Sequence, residues 1–145
     1  MAVTAKMYGN MLLKALNKEI DFDSDTIKVM LCTSSYTPDQ DTHIYKDVSV
    51  NNEVANGNGY TTGGATLASK AITYTGATNV IMLDAADVTW AASTITARYA
   101  VIYDDTPGSS KPLLGYVDFG ENKVSSGGNF TITWGAAGIF TITSA

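Results

Sequence analysis

The alternation of apolar and polar positions divides the chain into an amphipathic start, one apolar strand, a long polar stretch and a dense run of strand text. From Thr4 to about Glu19, Met7, Met11, Leu12, Ala15 and Leu16 recur at three- and four-residue spacing. That period predicts a helix over 4–19 with Thr4 as its N-cap. Its stripe must cover the protein's own sheet or a neighbouring subunit, and the own core is the expectation. The acidic text DFDSD, with Asp21, Asp23 and Asp25, then reads as the turn into a strand, IKVMLCT over 27–33. Ile27, Val29 and Leu31 share one face of that strand, and Lys28, Met30 and Cys32 the other. A second face this apolar predicts a central position.

From Ser34 the text turns polar, SSYTPDQDTHIYKDVSVNNE, and runs into VANGNGYTTGGATL, with Gly57, Gly59, Gly63 and Gly64 close together. Gly59 and Gly63 are expected to adopt positive φ in consecutive turns. A connection spanning 34–64 is long for a compact domain unless it contacts something, so an extended arm is expected. Its candidate partner-binding residues are Tyr36, His43, Tyr45 and Tyr60, the tyrosines acting as exposed aromatic anchors.

Beyond the glycines come ATLASKAITYT, NVIMLDA, DVTW, STITARYAVIYDD, PLLGYVDFG, NFTITW and GIFTITSA, separated by turn text such as TGATN, DTPGSSK and VSSGGN. Strict alternation in ITARYAVIY would put Ile95, Ala97, Tyr99, Val101 and Tyr103 on one face, with Arg98 and Ile102 on the other. Trp90 and Trp134 end strand-like runs and are expected to close the core. The expected fold is mainly β: an antiparallel β-sandwich or jelly-roll-like barrel with one N-terminal helix, as a single domain over 1–145.

Composition narrows the function. The chain is 45% hydrophobic and 16% charged, against roughly 25% charged residues in an ordinary domain, so Thr, Ser, Asn and Gly must keep the surface wet. A net charge of −5, with nine Lys and Arg scattered singly, provides no basic stripe, and direct nucleic-acid binding is not expected. Cys32, the one cysteine, sits in an apolar run and reads as a small buried hydrophobe. Without a signal-peptide pattern or a run of roughly 20 apolar residues, synthesis in the cytoplasm and no membrane partner are expected.

Chemistry finds little purchase. GNGYTTG is one residue too long for the dinucleotide fingerprint and lacks its strand and helix. DFDSD starts like a calcium loop, but Thr26 and Cys32 stand where glycine and glutamate are needed. DQD at 39–41 with His43 makes no zinc pattern. His43 has no nucleophile motif beside it, and nothing selects a glycosidase pair such as Asp84 with Asp87. No catalytic residue, cofactor or metal site is therefore expected, and the protein is read as not an enzyme.

The ordered phrases SDTIKVMLCTSSYTPDQDTH, GNGYTTGGATL, DVTWAASTITARYAVIYDD, LLGYVDFG and GGNFTITWGAAGIF resemble a family of small virion structural proteins of tailed bacteriophages, over nearly the whole chain. The resemblance implies a virion part, with a capsid cement or decoration protein on the capsid exterior favoured. Its implied partners are the major capsid protein and copies of itself, in a small homo-oligomer such as a trimer. A tail, neck or fibre component, including a host-carbohydrate-binding module, is the alternative.

Overall fold

β-branched and aromatic residues are concentrated in the strand runs, and strands take 49% of the chain. The computed structural model describes residues 2–144, and Met1 and Ala145, the ends of the expected domain, lie outside it. The strands are β1 (Thr4–Met7), β2 (Ile27–Cys32), β3 (Ala65–Thr66), β4 (Ala71–Thr75), β5 (Val80–Asp84), β6 (Val88–Asp104), β7 (Leu113–Ile132) and β8 (Phe140–Thr143). Two short helices interrupt them, α1 (Met11–Leu16) and α2 (Lys46–Ser49). A five-stranded antiparallel sheet has the order β1-β7-β6-β2-β3, and a three-stranded one the order β4-β5-β8. The expected mainly β fold is what forms, and its two sheets pack in a sandwich-like arrangement.

The inner face of the large sheet carries Ile27, Val29, Leu31, Ala100, Ile102, Leu114, Val117 and Phe119, all in one buried cluster with Leu83 of β5 and Phe140 of β8. Gly115 lies on this face, where a Cβ would run into the Phe140 ring, so the close approach of the two sheets requires glycine there. The opposite face holds a second cluster: Met30, Cys32, Val101, Tyr103, Leu113 and Tyr116 with Tyr8 and Tyr36. Burial pushes the Cys32 thiol up to about 12, in keeping with its reading as an inert hydrophobe.

Three expectations need correction. Thr4–Met7 is not the first turn of a helix: it pairs with Asp118 to Gly115 of β7, and the helix is only Met11–Leu16. Long-range pairing overrides the helix propensity of Ala, Lys and Met. DVTW and STITARYAVIYDD fuse into the 17-residue β6, while PLLGYVDFG and NFTITW fuse through the glycine text into the 20-residue β7. Finally, the register shifts between Ala97 and Tyr99, an irregularity around Arg98. Ile95 and Ala97 therefore face the inner cluster while Tyr99, Val101 and Tyr103 face the outer one.

Candidate interaction surfaces

The segment 34–64 is not a projecting arm. It lies over the outer face of the five-stranded sheet and then wraps round an edge. Tyr36 is 1% exposed and its ring meets Tyr99 edge-on. Its hydroxyl lies 2.8 Å from Tyr8 Oη and 3.0 Å from His43 Nδ1, which also takes the Asp39 N–H. That leaves Nδ1 as an acceptor, so the hydroxyls run Tyr8 to Tyr36 to His43. Burial, then the hydrogen bond to Tyr36, raises Tyr8 far above an ordinary phenol; burial pushes Tyr36 up to about 12. All of these hydroxyls stay neutral and act as hydrogen-bond partners.

Further along, the backbone completes the β2 edge that the two-residue β3 leaves open. Val54 N–H donates to Leu31 O and Thr33 N–H to Asn52 O. Tyr60, 2% exposed, accepts the Leu31 N–H at 3.0 Å and donates to Glu53 Oε1 at 2.7 Å, while its ring tilts against Trp90. The expectation of exposed anchors thus fails for Tyr36 and Tyr60, which are buried within their own chain. Gly59 and Gly63 do take positive φ, 86° and 93°, and the turn they form aims Tyr60 inward. His43 and Tyr45 are half-buried. Tyr45 is tied to α1: Lys14 Nζ donates to its oxygen at 2.5 Å, and its hydroxyl lies 3.3 Å from Glu19 Oε2. That hydrogen bond, then Glu19, raises the Lys14 ammonium.

What the fold leaves open lies elsewhere. On α1, Met11 is buried and Ala15 packs partly, but Leu12, Leu13 and Leu16 are 42%, 53% and 76% exposed. A groove of about 550 Å³ runs between that helix and the inner face of the small sheet, lined by Met11, Leu12, Ala15, Ile72, Ile81 and Ile142. Beside it β4 is exposed along its whole length, with Ile72 at 46% and Tyr74 at 60%. A second apolar groove, of about 480 Å³, lies between the N-terminal strand and the far half of β7, with Val3, Phe119, Val124 and Trp134 in its wall. The periodicity of 4–19 flagged Leu12 and Leu16; what it could not show is that the helix is too short, and too near the sheet's end, to bury them.

The charged groups serve local structure. Asp25 Oδ2 accepts the Asp21 N–H at 2.7 Å, the turn expected of DFDSD. Among the described residues no group of three or more His, Cys, Asp or Glu is placed to hold a metal ion. Asp87 Oδ1 accepts the Trp134 N–H, and Asp84 sits on β5 paired with Ala71. Asp104 is fully buried beside the Asp25 carboxyl; burial, then that neighbour, raises it to about 6. Asp105 goes the other way: burial works against its charge, but Lys111 and Lys28, at 2.5 and 2.9 Å, hold it below the usual carboxylate range. No helix among the described residues is long and apolar enough to cross a membrane.

No protein-family model, curated protein or solved structure matches the chain.

Proposed function

We propose that this chain is a virion structural protein of a tailed bacteriophage and acts as a capsid cement, binding the major capsid protein on the shell exterior. The sequence resemblance suggests the setting. The observation that supports a docking role is the exposed apolar face of α1, Leu12, Leu13 and Leu16, on a chain with few charges. An apolar helix face left in water is the kind of surface that a protein neighbour covers. This moves the candidate contact from Tyr36 and Tyr60, which the fold consumes, to the helix.

Cementing is a linkage effect: a part that binds the closed shell better than its free subunits stabilises the shell by mass action, and many weak contacts sum through multivalency. The test is copy number in purified virions by quantitative mass spectrometry. On the order of hundreds of copies supports a capsid part, whereas about three, six or twelve would move the protein to the tail, neck or fibre. In the capsid case Leu16→Glu, at a solvent-facing position, lowers shell occupancy and heat resistance while the free protein stays folded. Unchanged occupancy would remove the helix from the contact.

A further inference from the structure

The outer edge of the small sheet is open, and its sequence does nothing to protect it. Natural edge strands are blunted by charges, prolines, bulges or covering loops. β4 reads AITYT, with neither charge nor proline, and it pairs with β5 in unbroken register from Ala71–Asp84 to Thr75–Val80. Lys70, the one adjacent cation, is turned away: its ammonium donates to the Asp25 carbonyl and lies over the Phe22 ring. All five residues are exposed, so nothing within the described chain covers the edge.

We propose that β4 pairs antiparallel with β4 of a second copy about a two-fold axis at Thr73, joining two three-stranded sheets into one of six strands. The register follows from parity. A two-fold axis normal to the sheet keeps inner faces inner, so opposed residues must share a face, and their numbers must sum to an even value. Centring on Thr73 alone uses the whole strand. It sets Ile72 against Tyr74 of the second copy, twice, on the inner face, and Thr73 against Thr73 on the outer one. Aromatic against β-branched is among the favourable cross-strand pairs. It also covers the two most exposed apolar side chains of the small sheet.

A five-residue ladder falls short of the about 800 Å² per partner of a standard stable complex. The pair is therefore a weak equilibrium in dilute solution that fills where copies are held close together. This inference goes beyond the virion reading and does not rest on it, since it is tested on the purified protein alone.

Sedimentation over about 10 μM to 1 mM is expected to show monomer passing to dimer. Thr73→Lys and Thr73→Glu each place like charges face to face and weaken the dimer at least ~10-fold, while an equimolar mixture of the two restores it. Both changes fall on an exposed outer position, and circular dichroism checks the fold. The register is read with cysteines, because native Cys32 is fully buried. Under diamide, Thr73→Cys crosslinks to itself, Ala71→Cys alone does not, and a mixture of Ala71→Cys with Thr75→Cys does. A monomer throughout, a trimer, a charge mixture that stays monomeric, or Ala71→Cys crosslinking as readily as Thr73→Cys would each overturn the proposal.

Discussion

The two faces of the five-stranded sheet are buried by different means. The inner face meets another sheet, whose backbone is already hydrogen-bonded, and the contact is made by aliphatic side chains and phenylalanine rings such as Leu31, Ile102, Val117 and Phe140. The outer face meets an irregular segment, whose backbone and polar side chains must find partners as they come down on apolar surface. There the cover is made with tyrosines, whose rings fill volume while their hydroxyls reach polar neighbours. Tyr8 and Tyr36 bond each other, Tyr36 reaches His43, and on the outer face of the sheet itself Tyr103 donates to the Gly63 carbonyl at 2.7 Å. A sheet can cover a sheet with hydrocarbon alone, but a loop that covers a sheet needs side chains with an apolar body and a polar tip.

The largest way to break this comparison is to empty the inner face. Phe140→Ala removes the ring packed over Gly115 and should cost about 3–5 kcal/mol of unfolding free energy, because the backbone on both sides is held in ladders and collapses poorly. Urea denaturation reads this as a drop in midpoint at unchanged slope. A loss below about 1 kcal/mol would mean that the sheets are not locked together there.

A smaller effect sits at the end of the inner face, where Asp104 is its buried carboxyl. Raised to about 6, this group holds its proton more tightly folded than unfolded. Its contribution therefore falls as pH rises from about 4 through 6 and then stays level, by about 1–3 kcal/mol. Asp105 and Asp118, held low by their cationic partners, contribute the opposite slope, lost only as pH falls below the usual carboxylate range. Stability should thus peak on the acid side of neutrality. Asp104→Asn, which keeps an oxygen for the Thr106 N–H, should flatten the curve between pH 4.5 and 7. A wild-type midpoint that does not change over that range would count against the buried acid.

The same contrast explains what could be read in advance. β2 was legible on both faces because, Lys28 apart, every residue of IKVMLC is apolar. β6 was legible as strand but not in its facing: with both faces apolar, nothing in ITARYAVIY marks the irregularity at Arg98 that exchanges them. The helix over 4–19 was overread because β1 is made of residues whose local preference is helical, and only its pairing with β7 makes it a strand. The segment 34–64 was misjudged because its tyrosines look alike whether they meet a partner or their own sheet. The signal lay in Met30 and Cys32: a strand apolar on both faces demands two covers, and the helix and remaining strands supply only one. The open edge at β4 was hidden for the opposite reason, since AITYT has the same text as a strand with neighbours on both sides.

The sharpest form of the comparison has the smallest expected effect. If the outer face depends on matched hydroxyls rather than on ring volume, removing one and removing two should cost nearly the same. Tyr36→Phe keeps the ring but strands the Tyr8 hydroxyl, which is buried and, among the described residues, bonded only to Tyr36, at about 1–3 kcal/mol. Tyr8→Phe does the converse, leaving Tyr36 its bond to His43, and should cost less, about 1 kcal/mol. With both changed, no orphaned hydroxyl remains on either ring, so adding Tyr8→Phe to Tyr36→Phe should cost under about 0.5 kcal/mol or recover stability. Amide exchange adds the location: the single variant should speed opening of 34–64 while β2 and Phe140 stay protected. Strictly additive losses would show that the two hydroxyls act independently, and the loop would then be held by its rings, just as the small sheet is.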